Sequence, residues 1–274
     1  MNYCLATITD KYYYKGTIAL LNTFFIHNEW FNGKIIIIHN ELSQQSIDSI
    51  TEKYNALFHQ VDNGLMTKLY KIKEQIPQLE SLYKRFFILE IFKFSHFDRV
   101  VYIDSDILCK RDISPLFFRE EDFIACKDVI KPNYYRNVND FSIKKYESSY
   151  QNNLRTFNSG VLSISNKFLS EEIYKELVSY LIPRTWQGIK DHYGDEIILN
   201  RYFIKQTQLI SNEYNYRIHL EKHYVQNENL FFKDARLIHY TGINKPWRIK
   251  NQVRLLLRNF KYWKYIWLWY KCCL

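Results

Sequence analysis

The sequence of 274 residues predicts an α/β domain with a mostly parallel sheet flanked by helices, followed by a basic, aromatic, helical tail. Three observations support this prediction. Short apolar runs alternate with helix-like segments near the start of the chain. The run Lys34–His39 is β-branched and uninterrupted, as in a strand buried on both faces. Residues 248–274 hold seven Lys or Arg and no Asp or Glu.

The first elements alternate between strand and helix. Strands are predicted from compact apolar runs, and helices from apolar residues at helical spacing or from a Ser that can cap the first turn. This order is typical of parallel strands joined by helices. In chain order the elements are the strand Cys4–Ile8, the helix Thr17–Ile26, the strand Lys34–His39, a helix from Ser43 to about Tyr54 and the strand Leu57–Val61.

The middle of the chain continues the same alternation. Apolar spacing predicts a helix over Ser81–Phe94, and the buried strand Arg99–Ile103 then ends abruptly at Asp104-Ser105-Asp106. Asp112-Ile-Ser-Pro115 marks a turn and the start of another helix. Further strands and helices are predicted at Phe123–Cys126, Gly160–Ser165, Lys167–Leu181, Asp195–Phe203 and Ala235–His239.

The polar segment Lys131–Asn153 lacks clear periodicity and predicts a long loop, a kind of segment that is often functional. No internal repeat and no Pro/Gly-rich linker interrupts the chain. We therefore expect one catalytic domain over residues 1–247 and a separate tail over residues 248–274.

Composition narrows the possible classes of function. Hydrophobic residues make up 47% and charged residues 24%, which excludes a mainly disordered chain. The net charge of +9 would suggest a nucleic-acid or membrane partner, but seven of the 38 basic residues lie in the tail. Residues 1–247 hold 31 basic and 29 acidic residues, a balance of +2, which argues against a general nucleic-acid-binding body.

Cysteine usage and the N-terminal sequence indicate the compartment. The five cysteines are odd in number and have no repeated spacing, so neither a zinc site nor a disulfide framework is expected. The N-terminus lacks the basic and apolar regions of a secretion signal, and no apolar run approaches the length of a membrane span. We expect a cytoplasmic protein or one bound to the cytoplasmic face of a membrane.

Asp104-Ser105-Asp106 is a candidate cation site. Carboxylates at i and i+2 of an extended segment point to the same side and can share one divalent cation. The motif follows a predicted strand, and ligands of α/β sheets bind at the carboxyl ends of the strands.

A second candidate ligand is His239, which ends a later strand and precedes Tyr240-Thr241-Gly242. Gly242 allows close backbone approach to a ligand, and Lys245 offers a positive charge for a phosphate. Two carboxylates and one imidazole favour Mn²⁺, with Mg²⁺ as a possible substitute.

Four segments in order resemble glycosyltransferase family 8, whose members are retaining, nucleotide-sugar-dependent enzymes of GT-A fold. The similarity runs from Cys4 to Trp247 and is nearer to bacterial lipopolysaccharide galactosyl- and glucosyltransferases than to glycogenin. The matching segments are RVVYIDSDILCKRDISPLF (Arg99–Phe117), FNSGVLSIS (Phe157–Ser165), GDEIILN (Gly194–Asn200) and IHYTGINKPW (Ile238–Trp247).

The resemblance implies a role for each matching residue. Asp104, Asp106 and His239 would hold Mn²⁺, which bridges the phosphates of a UDP-sugar and stabilises the leaving diphosphate. Asn158 and Asp195 would bind hydroxyls of the donor hexose, and Asp128 would lie near the acceptor. The remaining donor-binding residues would be Thr7, Asp10, Tyr12, Arg85, Ser105, Gly242 and Lys245.

Glu196 departs from the family, which often has Gln at this place near the anomeric carbon. A carboxylate here could act as a nucleophile in a double displacement, which retains configuration. The competing mechanism is same-face attack assisted by the departing phosphate, which needs no protein nucleophile. We favour the second mechanism and expect Glu196 to be an orienting group.

The tail sequence predicts an amphipathic helix. On a helical wheel six Lys or Arg residues share one arc, and Leu, Ile, Trp and Tyr occupy most of the rest. Such a helix can lie on an anionic membrane surface, or it can pack on the body with its basic face in water. The six residues are Lys250, Arg254, Arg258, Lys261, Lys264 and Lys271.

The expected function is transfer of galactose or glucose from a UDP-sugar to a hydroxyl of a bacterial surface glycan, free or lipid-linked, with an α-linkage as product. We expect the enzyme to lie on the inner face of the cytoplasmic membrane and to bind no nucleic acid. The alternative is a non-catalytic protein of the same fold whose basic, aromatic tail binds nucleic acid by stacking and phosphate contacts.

Overall fold

The computed structural model describes residues 1–76, 79–80, 82–128, 156–186, 194–242, 245–248 and 262–273. The loop predicted over Lys131–Asn153 lies outside these residues, as do four of the six basic residues of the tail wheel.

A seven-stranded sheet forms the centre of the fold, in the order β3-β2-β1-β4-β7-β6-β8. Four of its six pairings are parallel, and β7 runs antiparallel to both β4 and β6. The predicted mixed, mostly parallel sheet is therefore confirmed. Its strands are β1 (Tyr3–Ile8), β2 (Lys34–His39), β3 (Leu57–Gln60), β4 (Arg99–Ile103), β6 (Phe123–Lys127), β7 (Phe157–Ser165) and β8 (Thr207–Ile210).

A second sheet of three short strands lies beyond the end of β4. Its order is β5 (Ile107–Cys109), β10 (Leu237–His239) and β9 (Tyr216–Arg217). The antiparallel pairing of β10 with β5 places His239 opposite Ile107, one residue after Asp106. This pairing brings two segments that are distant in sequence to the same edge of the fold.

Helices cover both faces of the large sheet. The apolar side chains of its strands alternate between two separate cores, one on each face, as expected for strands buried on both sides. Among the described residues, the α-helices of at least four residues and the longest 3₁₀ helix are α1 (Tyr14–His27), α2 (Gln44–Tyr54), α3 (Asn63–Gln75), a 3₁₀ helix (Tyr83–Lys93), α4 (Pro115–Phe118), α5 (Glu171–Ser179), α6 (Pro183–Trp186), α7 (Gly194–Phe203) and α8 (Trp263–Cys273).

Serine capping fixes the starts of two helices. Ser43 Oγ accepts a hydrogen bond from Ser46 N at the start of α2, as the sequence predicted. The helix predicted over Lys167–Leu181 instead begins at Glu171, because Ser170 Oγ accepts from Ile173 N and caps α5 there. The preceding residues Asn166–Phe168 form a single 3₁₀ turn.

The helix predicted over Ser81–Phe94 is present but has 3₁₀ geometry over Tyr83–Lys93. All seven residues Phe86–Phe92 are buried, so this segment is packed on every side and does not follow the one-sided pattern of an amphipathic α-helix. It lies against α5 and α7, and it carries the fully buried carboxylate of Glu90.

Helix α8 packs on the body of the protein. Tyr265 and Trp269 are buried in a third apolar cluster that includes residues of α1 and the small sheet, and Ile266 is also buried. Tyr240 Oη donates to the carbonyl of Tyr265 at 2.7 Å. Among the described residues, no helix is both long and apolar enough to cross a membrane.

Candidate active site

The Asp104-Ser105-Asp106 segment forms the turn between β4 and β5. Asp104 N donates to the carbonyl of Gly160 at 2.9 Å, which ties the end of β4 to β7. Tyr102 Oη donates to Asp104 Oδ1 at 2.6 Å, and Tyr240 N donates to the carbonyl of Asp106 at 2.9 Å. The backbone on both sides of Ser105 is therefore held by neighbouring strands.

Asp104, Asp106 and His239 form a cluster whose ligand atoms all lie within 4.8 Å of one another. His239 Nε2 is 3.5 Å from Asp104 Oδ2 and 3.2 Å from Asp106 Oδ1. Two carboxylate oxygens and one imidazole nitrogen at this spacing fit a divalent cation. The structure thus brings together the three residues that the sequence predicted as metal ligands.

The two carboxylates of the cluster differ in their electrostatics. Burial and the neighbouring Asp106 raise the pKa of Asp104. Burial would also raise the pKa of Asp106, but Lys245 and His239 outweigh it and hold that pKa below its ordinary value. Asp106 is therefore the carboxylate that remains ionised most readily.

Lys245 lies at the cluster rather than in solvent. Its ammonium is buried, donates to Asp106 Oδ2 and also donates to the carbonyl of Tyr240 at 2.6 Å. Gly242, three residues before Lys245, has a φ of +79°, and a side chain there would meet no atom of the described residues within 4 Å. The backbone at Gly242 is thus open to the approach of a ligand.

The residues predicted to bind the donor hexose lie beside the cluster. Asn158 Nδ2 donates to Glu196 Oε1, and Ser159 Oγ donates to Asp195 Oδ2 at 2.6 Å. Burial raises the pKa of Asp195 to about 6, although Arg85 and Ser159 oppose this. Burial, Asp128 and Asp195 raise the pKa of Glu196 well above its usual value.

Gly160 on β7 joins the cluster to the residues around Asn158. A Cβ added to Gly160 would lie 2.6 Å from His239 Cε1, 2.9 Å from Asp104 Oδ2 and 3.0 Å from Asn158 Oδ1. The absence of a side chain at this position therefore allows both sets of residues to converge.

Asp128, predicted to lie near the acceptor, forms a buried ion pair with Arg217, with Nη1 and Oδ1 2.9 Å apart. Arg217 Nε also donates to Tyr224 Oη at 3.2 Å, whereas its Nη2 is buried without a hydrogen-bond partner among the described residues. Sequence reasoning did not identify Arg217. The signal available was a basic residue within the otherwise uncharged run Tyr-Asn-Tyr-Arg-Ile.

Asn215 is a second residue that sequence reasoning missed. It is completely buried; its Oδ1 lies 2.8 Å from His239 Nδ1, and its Nδ2 donates to Asn158 Oδ1 at 2.6 Å. One amide therefore touches both a predicted metal ligand and a predicted sugar-binding residue.

Three of the predicted donor-binding residues, Thr7, Asp10 and Tyr12, lie between the end of β1 and the start of α1, where the resemblance places the uridine of the donor. The carboxylate of Asp10 accepts from Tyr12 N and Tyr13 N and forms an ion pair with Lys84 at 2.9 Å. Tyr12 is 58% exposed, whereas Thr7 Oγ1 is buried with no hydrogen-bond partner among the described residues.

Arg85 and Ser105 complete the set of predicted donor-binding residues. Arg85 lies in the 3₁₀ helix, and its positive charge is close enough to Asp195 and Glu196 to oppose the rise in pKa that burial causes at both carboxyls. Ser105 is buried between the two carboxylates of the turn, and its carbonyl faces Gly16 of α1.

Known proteins are similar to this chain in sequence and in fold. The model of glycosyl transferase family 8 matches residues 4–251. A lipopolysaccharide 1,2-glucosyltransferase of Escherichia coli K12 is 27% identical over 257 residues, which cover 87% of this chain and 70% of the relative. Another E. coli lipopolysaccharide 1,2-glucosyltransferase is 25% identical over 218 residues, covering 73% of this chain and 62% of the relative, less than two thirds of its length.

The fold is that of solved glycosyltransferases. The galactosyltransferase LgtC, solved with donor and acceptor sugar analogs, superposes with a TM-score of 0.71 at 14% identity, covering 98% of this chain and 95% of LgtC. The resemblance read from the four sequence segments is thereby confirmed. Because the family model matches nearly the whole chain, the protein belongs to glycosyltransferase family 8 and has the GT-A fold.

Proposed function

We propose that this glycosyltransferase moves galactose or glucose from UDP to a hydroxyl of a bacterial surface glycan such as lipopolysaccharide or capsule, forming an α-linkage with retention. The observation that carries the proposal is the adjacency of two sets of side chains. The cluster of Asp104, Asp106 and His239 can hold a cation, Asn158 lies beside it across Gly160, and Asp195 accepts from the adjacent Ser159.

The chemistry of the cluster supports a divalent metal in the reaction. Asp104, Asp106 and His239 would hold it, and a set with one nitrogen ligand favours Mn²⁺ over Mg²⁺. When bound, such an ion acts as a Lewis acid that stabilises the departing diphosphate.

Other residues of the chain would bind and orient the donor. Lys245 supplies positive charge beside the cluster, and the exposed backbone of Gly242 can approach a phosphate. Asn158 and Asp195 offer an amide and a carboxylate to hexose hydroxyls. The buried hydroxyl of Thr7 near the end of β1 has no hydrogen-bond partner in the described part of the chain, which supports a role in uridine binding.

Glu196 and Asp128 are the residues that we assign to the reacting centre and to the acceptor. Glu196 accepts a hydrogen bond from Asn158, a contact that the amide oxygen of Gln could equally accept. We therefore infer that Glu196 orients groups at the reacting centre while the departing phosphate assists the acceptor hydroxyl. Asp128 would receive the acceptor, with its orientation fixed by Arg217.

The relatives support a surface glycan as the acceptor. Both Escherichia coli proteins are lipopolysaccharide 1,2-glucosyltransferases, which favours a lipopolysaccharide-like acceptor and is consistent with glucose as the donor sugar. LgtC is a galactosyltransferase, so galactose stays in the proposal.

The test is UDP-sugar hydrolysis and transfer with and without Mn²⁺, after a thermal-shift screen of nucleotide sugars has selected the donor. We expect Asp104→Ala and Asp106→Ala to lower metal-dependent turnover by at least ~100-fold, since even outer-shell partners of a metal site cost 10–100-fold. Asp48→Ala, on the exposed face of α2, is the matched control. Full metal-dependent turnover in both site variants would refute the assignment.

Glu196→Gln separates the two mechanisms in the same assay. An orienting role predicts activity within about tenfold of the unaltered enzyme, because the hydrogen bond from Asn158 is kept. Loss of activity as complete as in Asp106→Ala, with Mn²⁺ and donor binding intact, would show instead that Glu196 is the nucleophile.

We further propose that the enzyme lies on the inner face of the cytoplasmic membrane and that the tail mediates this binding. Helix α8 leaves Trp263 46% exposed and Trp267 62% exposed, with Lys264 and Lys271 also at the surface. Exposed Trp beside Lys suits the headgroup region of an anionic bilayer, and a lipid-linked acceptor would be found there.

A further inference from the structure

We propose that Asn215 is a positioning residue that couples the orientation of His239 to that of Asn158. The inference rests on the proposed function, in which His239 is a metal ligand and Asn158 binds the donor sugar. Asn215 is completely buried in the short helix Asn212–Asn215 and acts through these two neighbours.

The backbone N–H of Gly160 can only donate a hydrogen bond, and it therefore determines how the amide of Asn158 is oriented. Gly160 N lies 3.1 Å from Asn158 Oδ1, so the oxygen of the Asn158 amide must face Gly160. The nitrogen of that amide is then turned toward Glu196 Oε1, to which it donates. The backbone of β7 thus determines which way the amide oxygen and nitrogen of Asn158 face.

The orientation of the Asn158 amide in turn determines the orientation of Asn215 and the protonated nitrogen of His239. Asn158 Oδ1 also accepts from Asn215 Nδ2 at 2.6 Å, so the Asn215 amide must present its oxygen on the other side. That oxygen lies 2.8 Å from His239 Nδ1 and requires a proton there. His239 Nε2 is then left with its lone pair directed toward Asp104 and Asp106.

An amide is the side chain that meets both demands at this place. It accepts from the imidazole and donates to Asn158, whereas a carboxylate can only accept and an alkyl group does neither. Metal-bound histidines commonly donate their second ring N–H to an oxygen, and loss of that partner weakens metal binding by 10–100-fold. The short helix ends at Asn215 and leads directly into β9, which pairs with β10, so the Asn215 side chain is held within reach of His239.

Two substitutions separate the two contacts. Asn215→Leu removes both, and we expect the Kd for Mn²⁺ to rise about 10–100-fold, together with a fall in kcat. Asn215→Asp keeps an acceptor for His239 Nδ1 but cannot donate to Asn158. We expect its Kd for Mn²⁺ to stay within about threefold of the unaltered enzyme while kcat falls at least ~10-fold.

Mn²⁺ affinity is measured by titration calorimetry on the full chain without any sugar, and kcat by UDP-sugar turnover at saturating Mn²⁺. Asn212→Leu and Asn212→Asp are matched controls, because Asn212 is buried in the same helix but donates to Glu228. The controls should change thermal stability without separating Mn²⁺ affinity from kcat.

Three outcomes would overturn the inference. The first is an Asn215→Leu variant that folds and binds Mn²⁺ as tightly as the unaltered enzyme. The second is a parallel loss of Mn²⁺ affinity and kcat in Asn215→Asp, and this variant decides the question if Asn215→Leu does not fold. The third is an unaltered enzyme that binds no Mn²⁺, which would refute the metal site and the coupling together. The first two outcomes would refute only the coupling, so the two kinds of failure can be distinguished.

Discussion

Asp195 is a buried carboxylate whose charge opposes folding. Its side chain accepts from Ser159 Oγ, yet burial raises its pKa to about 6 from an ordinary value of 3.8. In the unfolded chain the proton therefore leaves at lower pH than in the folded protein. Folding stability from this group is present in full below about pH 4 and is lost as the pH rises through about 6.

Asp195→Asn should remove this loss of stability. The amide accepts the same hydrogen bond but carries no charge, so the variant should gain stability relative to the unaltered protein at pH 7.5, by up to about 3 kcal/mol, and much less at pH 4.5. Urea unfolding at both pH values measures the difference, with the exposed Asp48→Asn as control. An equal difference at the two pH values would contradict the assignment of the charge penalty to Asp195.

The predictability of a site residue depended on where its partners lie in the sequence. Asp104 and Asp106 follow a strand, and Asn158, Asp195 and His239 occur in segments that resemble the family, so all could be selected from the sequence. Their roles in binding and catalysis remain predictions.

Asn215 and Arg217 belong to no such pattern, because their function depends on distant neighbours. The partner of Asn215 at His239 is 24 positions away, and that of Arg217 at Asp128 is 89 positions away. The pairing of β9 with β10 brings Asn215 close to His239. Arg217, which lies in β9, meets Asp128 directly after the end of β6.

Among the secondary-structure elements, β7 has a strict steric requirement next to the cluster of Asp104, Asp106 and His239. All nine of its residues are buried, and it lies between β4, which leads to the carboxylate turn, and β6, which leads to Asp128. At Gly160 the strand passes so close to His239 and Asp104 that a methyl group would overlap both. The position of the strand thus determines the spacing of Asp104 and His239, two of the three proposed metal ligands.

Gly160→Ala should therefore weaken cation binding. The added Cβ would have to displace His239 Cε1 from 2.6 Å or Asp104 Oδ2 from 2.9 Å, and we expect the Kd for Mn²⁺ to rise at least ~10-fold. Titration calorimetry measures the change. Gly64→Ala is the control, since among the described residues its methyl group would meet the Asp62 side chain, which lies outside the site. Unchanged Mn²⁺ affinity in Gly160→Ala would show that the ligands can move without cost.

Elements with a strong periodic signal were predictable, and those defined by their neighbours were not. The strands β1, β2 and β4 are compact apolar runs and occur where the sequence predicted them. By contrast, β8 (Thr207–Ile210) is only partly buried and has no apolar run, so it becomes a strand through its pairing with β6.

Helix α3 is not among the predicted elements, although its sequence carries a cap residue and helical apolar spacing. Asp62 caps Gly64 N and Leu65 N, and the helix buries Leu65, Met66, Leu69 and Ile72, which is helical spacing. The Asn-Gly pair at its start is more typical of a turn than of a helix.

At the scale of the whole molecule, the distribution of charge is as informative as its total. The body of +2 carries its important charges in local arrangements, such as the carboxylates of the metal cluster and the Lys245 beside them. The tail has an excess of +7 with no acidic residue. The division of the chain at residue 247 stays a prediction, but the described part of the tail packs on the body, with Lys264 paired to Glu221.

Packing and membrane binding need not exclude each other, because α8 has two faces. Trp269 is 5% exposed and contacts Trp247 with ring centroids 5.6 Å apart, whereas Trp267 is 62% exposed with Lys271 over its ring. One face thus anchors the helix to the body, and the opposite face presents aromatic and basic groups to the surroundings.

This division predicts opposite phenotypes for two Trp→Ala substitutions in the same helix. Trp269→Ala should lower the free energy of unfolding by about 3–5 kcal/mol, because it empties a buried site. Trp267→Ala should leave stability within about 0.5 kcal/mol but reduce partitioning onto vesicles that contain anionic lipid, since the exposed indole is the group available to the headgroup region. Vesicle sedimentation at low and physiological salt, with neutral vesicles as control, separates electrostatic attraction from insertion of the aromatic face. Equal vesicle binding by Trp267→Ala and the unaltered protein would contradict a membrane role for this face, and salt-sensitive binding to single-stranded oligonucleotides instead would favour the nucleic-acid alternative.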